Sequence, residues 1–433
     1  MRVLRKLYFL FKVLSNKKKN VEELERIQSK MLRFMINYCY RKVPYYHYLW
    51  KNHRISPYDI KDVGDVKKLP IIDKSVLREN YSSFISIDFK EKLNNLWHKG
   101  SSGSTGKPVL IYYDNFAKDY LDAIYLRALM AAGYKPNKPL FYYWYKPFKF
   151  EIYNIFGLMR KIYIPHILKD NQIIELMIKY KPEYIYCYGG ILFSISKKIL
   201  ENNISLNWIP KSIITHGELF SEKMKEVVKN AFNTENVFDQ YGTSEYNRSA
   251  WECIEGNGYH VDQDSVITEI LDKNYEDVDF NESGVLVLTG LINRALPLIR
   301  YKIGDIVTKN DDYRCNCGIK LPKMIKHIEG REVDFINGIS TREIMNILGD
   351  IKGLSVFQII KGSKKISLII EPDNLVDEKV ILKRMKKITN SKISIIYNEV
   401  KKTPGGKRPF ISTNINPSKS KQYKESNIFV YNF

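Results

Sequence analysis

The chain has 433 residues, 44% of them hydrophobic, and carries 69 Lys and Arg against 48 Asp and Glu for a formal charge of +21. That length and apolar content suffice for one large core and a second smaller one, and they exclude a disordered chain. The positive balance favours anionic company such as nucleotides, acidic lipid head groups or nucleic acid, but the lysines are scattered among abundant Ile, Asn and Tyr rather than gathered in one patch.

The amino terminus, "MRVLRKLYFLFKVLSNKKK", sets basic residues around an apolar stretch that Lys12 interrupts. It falls well short of the ~20 residues that span a bilayer and no small-residue cleavage site follows it. Two readings remain for residues 1–20: a helix lying on an anionic membrane face, or an ordinary helix packed on the body. From Val21 to Tyr40 apolar residues recur at three and four, which predicts a helix ended by Pro44. "VKKLPIIDKSVLREN" reads as a turn into a helix capped near Asp73.

At 98–113 stands "HKGSSGSTGKPVLIYY", whose run of small residues lets backbone N–H groups and hydroxyls turn inward around an anion. A flexible surface turn is the competing reading. The familiar phosphate loop G-x-x-x-x-G-K-[ST] does not fit, because Ser101 and Pro108 stand where it needs a glycine and a hydroxyl. A helix is expected over Asp119–Ala132. The runs "KPLFYYWYK", "PEYIYCYGG", "KSIITHGE" and "NVFDQYGTSE" are short apolar strands ending in Gly or polar turns, with helical "NQIIELMIKY" and "ILFSISKKIL" between them. The alternation predicts an α/β body whose ligands sit at the loops after strand ends.

From about Val285 the texture changes to the strands "VLVLTGLI" and "PLIRYKIGDIVTK", followed by "EGREVDFING". Beyond these lie a helix at "TREIMNILGDI", a hairpin of "SVFQIIKG" with "ISLIIEPD" across 362–364, a helix at "EKVILKRMKKI" and a strand at "ISIIYNEV", closing on "KKTPGGKRPF". This is a compact α+β module. The expected division is a basic segment 1–20, a large domain 21–330 and a small domain with a polar tail 331–433.

In order, "SSGSTGKP", "THGE", "YGTSE", "IRYKIGD", "GREVD" and "TPGGKRPF" resemble the serial motifs of the adenylate-forming superfamily of acyl and aryl CoA ligases. "VPYY" and "LPIIDKSVLREN" resemble its phenylacetate-CoA ligase branch, including relatives linked to capsule-polysaccharide biosynthesis. The resemblance implies a large AMP- and ATP-binding domain with a smaller mobile lid. It also implies activation of a carboxylic acid with Mg-ATP to an acyl-adenylate, with pyrophosphate release and then transfer to CoA or another nucleophile.

Residue by residue, it makes Ser101, Ser102, Gly103, Ser104, Thr105, Gly106 and Lys107 the holder of the β- and γ-phosphates. Tyr241 would stack by adenine, Gly242 would belong to the same turn, Thr243 would face the α-phosphate and Glu245 would bind Mg²⁺ through a hard oxygen. Gly217 and Glu218 would line the adenine and acyl pockets, with His216 where a glycine is usual. Asp305 would accept the ribose hydroxyls, although Lys302 and Ile303 replace the common Arg and Thr of that motif. Arg331 would contact ribose or phosphate, Asp334 would be the hinge, and Lys407 would be carried by the lid to the α-phosphate and carboxylate during adenylation.

Cys253 and His260, with Cys315 and Cys317, could complete a tetrahedral Cys₃His structural zinc site if the two loops meet; the competing reading is free thiols in unrelated loops. Cys39 and Cys187 read as buried residues. Five cysteines without dense spacing argue for a reducing compartment, by default the cytoplasm, with the inner membrane face as a further option through residues 1–19. "FYYWYKPF" either lines an aryl pocket or packs as a half-buried strand. The function expected is an ATP-dependent acid ligase binding no nucleic acid; the alternative is a non-enzymatic basic protein that binds anionic lipid or nucleic acid.

Overall fold

The computed structural model describes residues 2–100, 109–148, 150–362, 365–371, 376–400 and 402–412. They fall into two compact units, each made from two stretches of chain: one runs to Ala131 and resumes over Tyr241–His327, and the other joins Ala132–Gln240 to the residues from Ile328 on.

In chain order, the first unit opens with helices α1 (Arg2–Asn16), α2 (Val21–Lys42) and α3 (Pro44–Asn52). Asn20 caps α2 through a box with Glu23, and Pro44 occupies the first turn of α3, where its missing N–H costs nothing. The Asp73 carboxylate accepts from the Ser75 and Val76 amides and starts α4 (Lys74–Glu79), as the sequence predicted. A single turn, α5 (Tyr81–Phe84), and the hairpin of β1 (Trp97–Gly100) with β2 (Leu110–Tyr113) follow. Helix α6 runs over Asn115–Ala131, four residues earlier than expected, because Asp114 accepts from the Phe116 and Ala117 amides and caps it.

The second unit begins with β3 (Leu140–Trp144), the single turn α7 (Ile152–Ile155), β4 (Lys161–Pro165), α8 (Asp170–Tyr180), β5 (Tyr184–Tyr188), α9 (Gly189–Glu201), β6 (Ser212–His216), α10 (Glu222–Phe232) and β7 (Val237–Thr243). The five strands are parallel in the order β7-β6-β5-β3-β4. Their near-continuous apolar runs are what a sheet covered on both faces requires.

Chain returning to the first unit forms β8 (Asn247–Trp251), β9 (Tyr259–Val261), β10 (Val266–Leu271), β11 (Ser283–Gly290), β12 (Tyr301–Lys309) and β13 (Lys323–Arg331), the last ending in the second unit. Fully buried Arg127 of α6 reaches Asp262 at 2.5 Å and Asp264 at 2.7 Å, tying helix to sheet through a paired internal charge.

The second unit ends with α11 (Thr341–Leu348), β14 (Phe357–Lys361), β15 (Lys365–Ile370), α12 (Glu378–Met385), β16 (Lys392–Tyr397) and β17 (Ile411–Ser412), in a sheet ordered β16-β15-β14-β17. Its apolar residues, Ile344, Met345, Phe357 and Ile359 among them, share one core with Ile173, Phe193 and Met224 of the same unit. That shared core brings "TPGGKRPF" to the loops after β5 and β6.

Candidate active site and metal centre

In the second unit the loops after β5 and β6 meet the stretch that precedes β17. Gly217 directly follows β6 with φ +75°, and a Cβ there would stand 3.4 Å from Cε of Lys407 and 3.3 Å from the Tyr188 ring. The glycine therefore supplies a left-handed turn and room for a close approach. The Glu218 carboxylate accepts from the Gly190 amide at 2.8 Å and the Arg408 amide at 2.5 Å. Burial pushes its carboxyl up to about 7, while the Lys407 cation and the two amides pull the other way.

Lys407 stands 5.9 Å above the centre of the Tyr188 ring. Its amide donates to Thr403 Oγ1 at 3.1 Å, and the Thr403 amide donates back to its carbonyl at 2.8 Å, which makes a tight turn. Gly406, at φ +82°, lets that turn pass His166, where a Cβ would come within 2.6 Å. Arg408 donates to both oxygens of Asp170 at 2.9 Å and to Ser194 at 2.8 Å. Sequence reading missed Arg408, Asp170, Ser194 and Gly190. Only Arg408 left a signal, as the neighbour of Lys407 in its motif.

His216 ends β6 in an aromatic row: its ring stacks on Tyr186 at 4.0 Å and lies 5.0 Å from Trp144, and Tyr142 stacks on Tyr186 at 5.5 Å. "FYYWYKPF" thus divides by strand alternation. Phe141 and Tyr143 join the core, while Tyr142 and Trp144 enter this row.

In the first unit, the Tyr241 hydroxyl donates to Asp305 Oδ2 at 2.6 Å, bringing together residues from two separate motifs. Gly242 is sterically required, since a Cβ there would lie 2.1 Å from the Asn247 carbonyl oxygen. Thr243 Oγ1 accepts from the Tyr246 amide at 3.2 Å, shaping the turn that carries Glu245. Residues 101–107 lie outside the described residues, but both stems of their loop are placed. Gly100 pairs with Leu110, Ser244 Oγ donates to the Gly100 carbonyl at 2.8 Å, and the Tyr113 hydroxyl donates to the Ser244 carbonyl at 2.5 Å. The stem residues Gly100 and Leu110 therefore stand beside the turn that holds Glu245.

Arg331 ends β13 and Asp334 closes the short 3₁₀ turn after it. Gly330 before them has φ +111°, and a Cβ would press within 2.8 Å of Thr341, so that backbone admits only glycine.

The two cysteine loops do meet. The ligand atoms of Cys253, His260, Cys315 and Cys317 lie within 4.8 Å of one another. Cys253 Sγ is 3.5 Å from Cys315 Sγ, and Cys317 Sγ is 3.5 Å from His260 Nε2. His260 Nδ1 faces the Leu321 carbonyl at 2.5 Å, so the ring N–H sits there and Nε2 is left for a metal. A tetrahedral zinc with Zn–S bonds of about 2.3 Å needs sulfurs about 3.8 Å apart, so the donor set fits. Cys39 and Cys187 are wholly buried in helix α2 and strand β5.

The chain has the fold of the adenylate-forming CoA ligases: 2-hydroxyisobutyryl-CoA ligase, solved in a postadenylation state with R3-HIB-AMP, superposes with a TM-score of 0.73 at 16% identity, covering 92% of this chain and 91% of that one. Its relatives by sequence include protein CapK of Staphylococcus aureus, 28% identical over 429 residues and covering 91% of this chain and 90% of CapK. Phenylacetate-coenzyme A ligase of Thermus thermophilus is 25% identical over 307 residues, 69% of this chain and 68% of that enzyme. No protein-family model matches the chain. The relatives lend nothing to the reading as a non-enzymatic anion binder.

Proposed function

We propose that this protein activates a carboxylic acid with Mg-ATP, forming an acyl-adenylate and releasing pyrophosphate, and then transfers the acyl group to CoA or to another nucleophile used in polysaccharide assembly. The observation that carries the reading is the meeting of Lys407 with Gly217 and Glu218, two motifs nearly two hundred residues apart in sequence. A cation held over the loops after β5 and β6 meets the charge demand of adenylation, where negative charge builds on the α-phosphate as pyrophosphate leaves. Asp305, oriented by Tyr241, would accept the ribose hydroxyls; Tyr241 would lie by the adenine; Thr243 would face the α-phosphate. Glu245 would hold Mg²⁺ beside the triphosphate loop 101–107. Arg331 would touch ribose or phosphate, and Asp334 would be the hinge of a lid formed by residues 331–433, which would have to part from the core it shares with Ile173, Phe193 and Met224 as it turns between the half-reactions. Magnesium, when bound, neutralises phosphate charge; these residues orient the nucleotide and the acid.

Tyr142, Trp144, Tyr186 and His216 favour a flat acyl body, aromatic or cyclic, stacked along the strand ends. Structural zinc at Cys253, His260, Cys315 and Cys317 would brace the turns beside β8 and β9; with four protein ligands it has no open position for substrate. None of the five cysteines forms a disulfide, which suits a reducing cytoplasm.

A pyrophosphate-release assay over a panel of aryl, cyclic and short-chain acids, with and without CoA, tests the activity. Release that requires both ATP and an acid is the expected result, and its absence with every acid removes the proposal. A pH measurement tests the site geometry independently of substrate. The Glu218 carboxyl is raised in the folded state, so the native protein holds a proton there that the unfolded chain has lost. Stability from this group is full below the ordinary glutamate range and falls as pH rises towards 7. In Glu218→Gln that part of the decline disappears: urea midpoints at pH 5 and pH 8 should lie closer together than in the wild type. Equal spacing in both proteins would mean that the carboxylate is not enclosed.

A further inference from the structure

Helix α1 has two apolar faces, one packed and one exposed. One face packs on the body: Phe9 and Val13 are buried, Phe9 sits 4.9 Å from Phe116 and 5.2 Å from Tyr120 by ring centres, and Asn16 donates to Asp264 at 2.9 Å. Arg127 donates to the Val13 carbonyl at 3.0 Å, so the helix is fixed in orientation. The opposite face is also apolar and is bare. Val3, Leu4, Leu7, Tyr8 and Phe11 stand on one stripe, with Leu4 71% and Phe11 74% exposed. Five large apolar side chains on one helix face are an unusual surface for a water-soluble body and mark an interaction site.

Charge identifies the partner. Residues 1–21 hold seven Lys and Arg and no acid. Arg2 and Arg5 reach Asp119 and Lys6 reaches Asp122 on the packed side, Lys12 lies 5.7 Å from the centre of the Tyr120 ring and Lys19 3.9 Å from Glu23, while Lys17 and Lys18 continue beyond the stripe's end. A second copy meeting this face across a two-fold axis would set the same cations against themselves. An anionic surface with a hydrocarbon layer beneath it meets both features: acidic head groups take the lysines and the acyl boundary takes the leucines and phenylalanine. We propose that α1 is a rigidly mounted membrane-docking helix that lays the Val3–Phe11 stripe into a bilayer rich in anionic phospholipid.

The test is flotation of the full chain with phosphatidylcholine vesicles and with vesicles that also contain phosphatidylglycerol. Wild type should float with the phosphatidylglycerol vesicles alone, less so at high salt, and Leu7→Glu with Phe11→Glu should weaken flotation at least about tenfold. Because those side chains face outward, the variant should keep the wild-type melting temperature, which separates lost docking from lost folding. Three results overturn the proposal: no flotation of the wild type, equal flotation of wild type and variant, or equal flotation with both vesicle types. A wild-type dimer in sedimentation that the double variant splits would likewise overturn it in favour of a second copy.

Discussion

Replacing Lys407 with alanine is expected to slow adenylate formation by about 100- to 1,000-fold while leaving transfer from a preformed acyl-adenylate to the acceptor within a few-fold of normal. The turn that carries the lysine is held by its own backbone, through Thr403 and Gly406, so the truncation removes the charge without removing the turn. The ammonium sits over Tyr188 and beside the enclosed Glu218 carboxylate, and a preoriented cation is worth most where charge develops during the reaction. Pyrophosphate exchange would read the first half-reaction, and addition of synthetic acyl-adenylate would read the second. Equal loss in both, or in neither, would mean that Lys407 serves the fold or the surface rather than the adenylation step.

Cys253→Ser and Cys317→Ser are each expected to release one bound zinc per chain, measured by elemental analysis, and to lower the melting temperature by about 10 °C. Cys315 and Cys317 pack against Trp251, Leu321 and Leu24, and the His260 ring stacks on Trp251 at 4.8 Å, so the cluster closes over a small core of its own. Three thiols and an imidazole drawn together with no metal would be a poorly satisfied group at the edge of that core; a metal turns the crowding into four bonds. At low temperature the surviving folded fraction should retain its rate of adenylation, since a filled coordination shell takes no part in the reaction. Metal-free wild-type protein that melts as high as the zinc-loaded protein would show that the four residues meet without a structural ion.

Local signals in the chain account for much of the fold. Strands β3, β5, β6 and β7 were legible because buried parallel strands are unbroken apolar runs that stop at Gly or a polar turn. Helix α4 was legible from Asp73 at its first turn, and α11 from the run "TREIMNILGDI"; the reciprocal cap of Ser340 and Glu343 at the start of α11 emerged only in the structure. The start of α6 was misplaced because Asp114, its true cap, sits directly after a strand and reads as part of the turn. Short elements in polar sequence, β8, β9 and the two-residue β17, left no periodicity to detect and exist because neighbouring strands offer them hydrogen bonds.

What the chain displayed by itself was a series of glycine turns and carboxylates, local properties of backbone and side chain, whose order resembles the adenylate-forming ligases and through that resemblance implied the class of chemistry. Tertiary structure alone decided which of them meet. Asp170 and Arg408 are 238 positions apart and nothing in either segment announces the other. The pairing of Cys253 with Cys315, the seat of Lys407 against Gly217 and the bare second face of α1 have the same origin. Periodicity tells which side chains are apolar and where the backbone can turn; which apolar face finds cover, and which distant charge finds its partner, depends on how whole elements pack.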